Sequence, residues 1–87
     1  MDIVNAPTDV LLQRHIELED EIAAARNACD ELQRESDQDR SNLALIVAVT
    51  NANRACSALL EEHTLVIGTL DHRDVRYRNW ERYNRAR

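Results

Sequence analysis

The sequence predicts an all-α protein: an antiparallel helical hairpin plus a short C-terminal helix, dimerising into a four-helix bundle. Three observations carry that prediction. One Gly, one Pro and no Phe in 87 residues leave almost none of the material of sheets and tight turns, while Ala, Leu, Glu and Arg dominate. Two stretches repeat apolar or small residues at alternating steps of three and four, the signature of a coiled-coil seam. A polar break separates the stretches at a point about which their patterns mirror one another. A chain this short builds a modest core and forms one helical domain at most, spanning 1–87.

Pro7-Thr8-Asp9 opens helix one, with Pro in the first turn and an acid placed to favour the helix dipole. The first seam follows as Leu11, His15, Leu18, Ile22, Ala25, Cys29 and Leu32. It fades at Ser36, which sets helix one at about 8–36. The run Asp37-Gln38-Asp39-Arg40-Ser41-Asn42 is polar enough for a turn and a fresh N-cap. Helix two, about 41–68, carries the second seam: Leu45, Val49, Ala52, Cys56, Leu59, His63, Val66 and Leu70. Folding the chain back at about residues 40–41 sets Leu32 against Val49, Cys29 against Ala52, Ala25 against Cys56, Ile22 against Leu59 and Leu11 against Leu70. Gly68 costs about 1 kcal/mol relative to Ala inside a helix, so helix two should end or bend just after it. A third helix, about 72–84, would then carry Val75, Tyr77, Trp80 and Tyr83.

One hairpin does not bury all this apolar surface. Leu43, Ile46, Val47, Leu60 and Ile67 lie off the second seam, and Leu12 and Ile16 off the first. A second copy would cover the surplus, giving a homodimeric core that includes Leu18, Ile22, Ile46, Val49, Leu59, Leu60 and Val66.

The formal charge of −5 is unevenly placed. Residues 1–40 hold eleven acids against four Arg; residues 41–87 hold five acids against seven Arg. No acid stands between Arg40 and Leu60, and every basic residue is Arg, the better fork for phosphate. An acidic total therefore leaves room for a nucleic-acid partner, because that footprint is local. Met1–Asp9 has no apolar signal region, and the longest unbroken apolar run, Leu43–Val49, has seven residues. The expectation is a soluble, cytoplasmic protein without a membrane span.

No triad, phosphate loop or carboxylate pair stands on a plausible pocket, so neither catalysis nor a cofactor or small-molecule substrate is expected. His15 and His63 sit on facing seams; with Cys29 and Cys56 about two turns away or more, they read as core histidines and not as metal ligands. The two Cys read as small buried hydrophobes. Glu17, Glu19, Asp20, Glu21, Asp30 and Glu31 read as a solvated face of helix one. Opposite the second seam stand Arg40, Ala44, Val47, Thr50, Asn51, Arg54, Ser57, Ala58 and Glu61. Arg forks phosphate, and Thr, Ser and Asn reach ribose hydroxyls, so this face suits a nucleic-acid backbone; a neutral face packing on protein is the other reading. The basic and aromatic run from Arg73 to Arg85 either holds phosphates, through Arg73 and Arg76, or closes the bundle with Tyr77, Trp80 and Tyr83.

The segment Asn53-Arg54-Ala55-Cys56-Ser57-Ala58-Leu59-Leu60-Glu61 resembles the small suppressors of RNA silencing made by insect nodaviruses. Those proteins carry an Arg followed five residues later by Leu-Leu near the middle of a long second helix, and then an aliphatic stretch. Leu65-Val66-Ile67 and Leu70 stand in that place here. Leu11-Leu12-Gln13 and Ile22-Ala23-Ala24-Ala25 of helix one are similar too, so the likeness covers about residues 10–71, with Arg54–Leu60 its specific part. The resemblance implies a homodimeric four-helix bundle lying along one face of double-stranded RNA. It would bind without sequence preference and shield duplexes from dicing and from loading into effector complexes. Arg54 matches the family's central backbone-contacting Arg. The departures are Val47, where a basic residue would be expected, the acidic total charge and the basic tail.

Two functions therefore stand: a viral double-stranded RNA binder contacting its ligand through Arg40, Thr50, Asn51, Arg54, Ser57, Arg73 and Arg76, or a phage or bacterial adaptor hairpin that docks a partner helix on Leu43, Ile46 and Val47.

Overall fold

The computed structural model describes residues 2–75. Two long helices, α1 (Thr8–Gln38) and α2 (Leu43–His72), make up the described residues with their short connections. They run antiparallel: Thr8 meets Arg73 at one end, and Arg14 meets Glu62 a turn and a half further in. The hairpin anticipated from the two seams is thus the fold.

The turn falls where the polar break stands. The Asp39 N–H bonds the Glu35 and Ser36 carbonyls and closes α1. Three residues on, the Asn42 side chain accepts from the Leu45 N–H at 3.3 Å and caps α2. Acids at 35, 37 and 39 oppose the negative end of the α1 dipole, so continuing α1 gains little. Arg40 lies in this turn and not on α2, which begins at Leu43 and not at 41. Its expected register with the outer face of α2 does not hold.

Helix α2 runs through Gly68 to His72, past the expected end. The cost of one Gly is outweighed because the next turn buries Leu70 completely. The helix stops instead at a Schellman arrangement. Asp74 adopts a left-handed φ of 57°, its N–H bonds the Asp71 carbonyl, and the Val75 N–H bonds the Leu70 carbonyl. Val75 then packs on the cluster that contains Leu70, the apolar contact this motif usually carries. Arg73–Val75 is therefore the end of α2; the rest of the expected third helix, with Arg76, Tyr77, Trp80 and Tyr83, lies outside the described residues.

The core is concentrated at the open end of the hairpin. Leu11, Leu12, Leu18 and Ile22 of α1 bury against Val66 and Leu70 of α2, with Ala6 closing the end and Ile3, Leu59, Leu60 and Val75 packed around it. Arg73 pins the entering chain: its guanidinium donates to Thr8 Oγ1 at 3.0 Å and to the Val4 carbonyl at 2.8 Å. Toward the turn, Ala25, Cys29, Leu32, Val49, Ala52 and Cys56 are only half-buried, because among the described residues no third element covers the two helices there. Of the residues assigned to a core shared with a second copy, Leu18, Ile22 and Val66 belong to the hairpin's own core. Leu59 and Leu60 flank it, while Val49 stays half-buried and Ile46 exposed.

Candidate nucleic-acid interface

The outer face of α2 is built by helical phase. At about 100° per residue, Val47, Thr50, Arg54, Ala58, Glu61 and Leu65 fall within one stripe, with Asn51 and Ser57 on its two margins. Thr50, Asn51, Arg54 and Ser57 are all exposed, so the structure brings together four of the seven residues expected to contact RNA. Thr50, Asn53, Arg54, Ser57, Ala58 and Glu61 line a shallow hollow of about 390 Å³, open to solvent. Asn53 was not among the expected contacts, although its place beside Arg54 was legible.

Arg54 makes no ion pair or side-chain hydrogen bond within the described residues, so its guanidinium is available to an outside anion. Arg14 is the contrast. Its Nε and Nη2 clasp both oxygens of Glu62, the latter at 2.9 Å, while Nη1 reaches Glu17 and Glu21 at 3.4 and 3.3 Å. The hydrogen bond from Arg14 holds the Glu62 carboxyl below its ordinary pKa against the opposing effect of burial, and raises that of Arg14. Part of the acidic face of α1 is thus a knot around one Arg and not a free solvated surface. The Thr50 hydroxyl donates to the Ile46 carbonyl at 3.1 Å, which satisfies its proton and leaves its lone pairs to accept from a donor such as a ribose hydroxyl.

The remaining expected contacts are elsewhere. Arg40 is exposed in the turn, Arg73 is engaged with Thr8 and Val4 at the far end, and Arg76 lies outside the described residues. Leu43, Val47 and Leu65 are exposed by 71, 49 and 54% along the same side of α2 as Arg54. Roughly a third of a turn round the helix, Ile46, Val49, Leu60 and Ile67 form a second apolar flank, Ile46 exposed and the others half-buried. By length and composition α2 is also apolar enough to cross a membrane, although no single apolar run in it is long.

His15 and His63 meet directly: His15 Nδ1 lies 3.0 Å from His63 Nε2 with the rings stacked, and His15 Nε2 lies 3.5 Å from a Glu19 oxygen. The sequence pattern placed the two histidines on the seams in neighbouring layers, not in direct contact, and counted Glu19 with the acidic face. The signal was the spacing of four between His15 and Glu19, which sets both on one side of α1.

No family model, curated protein or solved structure matches the chain.

Proposed function

We propose that the chain dimerises into a four-helix bundle and binds double-stranded RNA without sequence preference, acting in the cytoplasm of a host cell as a viral suppressor of RNA silencing. One observation carries this reading: Arg54 is exposed and has no partner among the described residues, it stands in the acid-free stretch 41–60, and Thr50, Asn53 and Ser57 share its hollow with a single acid, Glu61. The likeness of Asn53–Glu61 to nodaviral suppressors supports it. The flank of Ile46, Val49, Leu60 and Ile67 is the place for the second copy, because covering it leaves the Arg54 stripe open. A two-fold would then present Arg54 twice on one surface. Readout would be of shape and backbone, since the deep major groove of A-form RNA hides its base edges. No reaction is proposed. A bilayer is a poorer home for α2, because Asn51, Asn53 and Arg54 would sit near its centre, where an Arg costs about 2.5–3.5 kcal/mol on insertion scales.

A second reading draws on Leu43, Val47 and Leu65, whose exposure on the Arg54 side serves no phosphate contact. An adaptor hairpin docking an apolar partner helix there would use them. Two measurements separate the readings. Light scattering at micromolar concentration should give twice the chain mass of 10.0 kDa. A gel shift should show similar affinity for RNA duplexes of unrelated sequence and weaker binding to the matching DNA duplex. A folded monomer, or a dimer that shifts no duplex RNA at low salt, overturns the RNA reading and leaves the adaptor.

A further inference from the structure

We infer that His15, Glu19 and His63 form a binding site for a transition-metal ion of the zinc class, one that staples the two helices within a single chain. One donor atom from each residue lies within 4.8 Å of the other two. A tetrahedral ion at about 2.0–2.2 Å from each donor needs separations of about 3.3–3.5 Å. His15 approaches His63 through Nδ1 at 3.0 Å and Glu19 through its other ring nitrogen, Nε2, at 3.5 Å, so one His15 nitrogen would serve as ligand and the third donor would close in from within 4.8 Å by side-chain rotation. Two imidazoles and a carboxylate are the donor set that favours zinc, and after it cobalt or nickel, over calcium or magnesium.

The setting fits an ion with an open position. His15 is 1% exposed, so the protein around it limits its ring and the closing movement falls mainly to Glu19 and His63, which are half-buried. Glu19 and His63 are half-buried and line a surface cleft of about 340 Å³ together with Ile22, Ala23, Arg26 and Leu60. The cleft is a path for the ion and a place for water as fourth ligand. Three protein ligands plus water is the open arrangement of zinc sites. His15 and Glu19 are one turn apart on α1, and His63 comes from α2, so the ion would join residues 44 and 48 positions apart in sequence. That is where a small two-helix core gains most from a staple. The site is complete within one chain and independent of any RNA.

The test is calorimetric titration of zinc chloride into the full chain freed of metal, at pH 7.5, with cobalt(II) absorption as a second readout. One ion per chain should bind with a Kd in the micromolar range or tighter, and cobalt should give the visible bands of a low-coordinate site. At free zinc a hundredfold above Kd, the melting temperature should rise by roughly 10–20 °C. His63→Gln should abolish binding, and Glu19→Gln should weaken it at least about tenfold. Should His63→Gln fail to fold by circular dichroism, the half-buried Glu19 still decides the matter, since its loss leaves the core intact. His72→Gln, Cys29→Ser and Cys56→Ser should change nothing. Absence of saturable binding, or binding that persists in Glu19→Gln but disappears in either Cys variant, overturns the site and leaves a hydrogen-bonded histidine pair.

Discussion

Replacing Arg54 by Ala tests the proposed RNA face at its centre. Arg54 is exposed and touches no partner within the described residues, and Arg and Ala are both good helix formers, so the fold should barely respond. An exposed change of this kind falls within about ±0.5 kcal/mol. Binding should respond strongly. Charge-assisted hydrogen bonds are worth about 1.5–3 kcal/mol each, and the proposed two-fold removes two of them, about 3–6 kcal/mol together. At about 1.4 kcal/mol per factor of ten, affinity should fall by roughly 10² to 10⁴. The dependence of log affinity on log salt should also flatten by about two units, one for each phosphate no longer neutralised. Fluorescence anisotropy with a labelled RNA duplex at two or more salt concentrations measures both quantities. Arg34→Ala, an exposed Arg on α1, controls for simple loss of charge. If Arg54→Ala keeps its helicity and mass yet binds duplex RNA as tightly as the parent, with the same salt slope, then α2 does not meet the phosphates and the proposed face is wrong.

What the sequence disclosed and what it hid divide along physical lines. The hairpin was legible because two seams and one polar break are redundant signals, and Leu11 and Leu70 are both buried in the one cluster. The exact layers were less so, since His15 and His63, expected in neighbouring layers, meet directly. The Asn42 cap was legible for a similar reason, as a side chain that competes with helix just ahead of an apolar run. The end of α2 was not. Gly68 looked like a stop because propensity is local, whereas the burial of Leu70 and the packing of Val75 are tertiary gains that no window shows. The Schellman arrangement was hidden by using Asp74, not Gly, at the left-handed position. Arg73 read as a phosphate contact because charge pattern alone cannot reveal that the entering chain offers Thr8 and Val4 to it. The exposure of Thr50, Asn51, Arg54 and Ser57 on one side of α2 followed from phase. Phase failed for Arg40, where the turn resets it. Glu19 was lost among its acidic neighbours, although its spacing of four from His15 marked it as an acid able to reach that histidine.

Two further predictions concern the fold itself. Gly68→Ala should stabilise the chain by about 0.5–1 kcal/mol, since Gly68 lies inside α2, has an ordinary helical φ, and an added Cβ meets nothing within 4 Å. Thermal melts read this as a rise of roughly 3–6 °C, and a lower melting temperature would mean that α2 does not continue through this position. Glu62 gives the pH dependence. Its carboxyl is held below the ordinary value chiefly by the hydrogen bond from Arg14, so the folded state favours the carboxylate more than the unfolded chain does. A depressed carboxylate pKa adds stability that is full above the unfolded value near 4.5 and is lost as pH falls below it through the folded value. Denaturant titrations at several pH values should therefore show stability falling from about pH 4.5 downward, with a shallower fall in Glu62→Gln, which keeps the shape but cannot titrate. Glu17→Gln should leave most of the slope in place, because Glu17 is the outermost of the three acids and its contact with Arg14 is the longest at 3.4 Å. A Glu62→Gln variant that loses stability with acid as steeply as the parent would place the acid sensitivity elsewhere and remove Arg14–Glu62 as the bond joining the two helices beside the core.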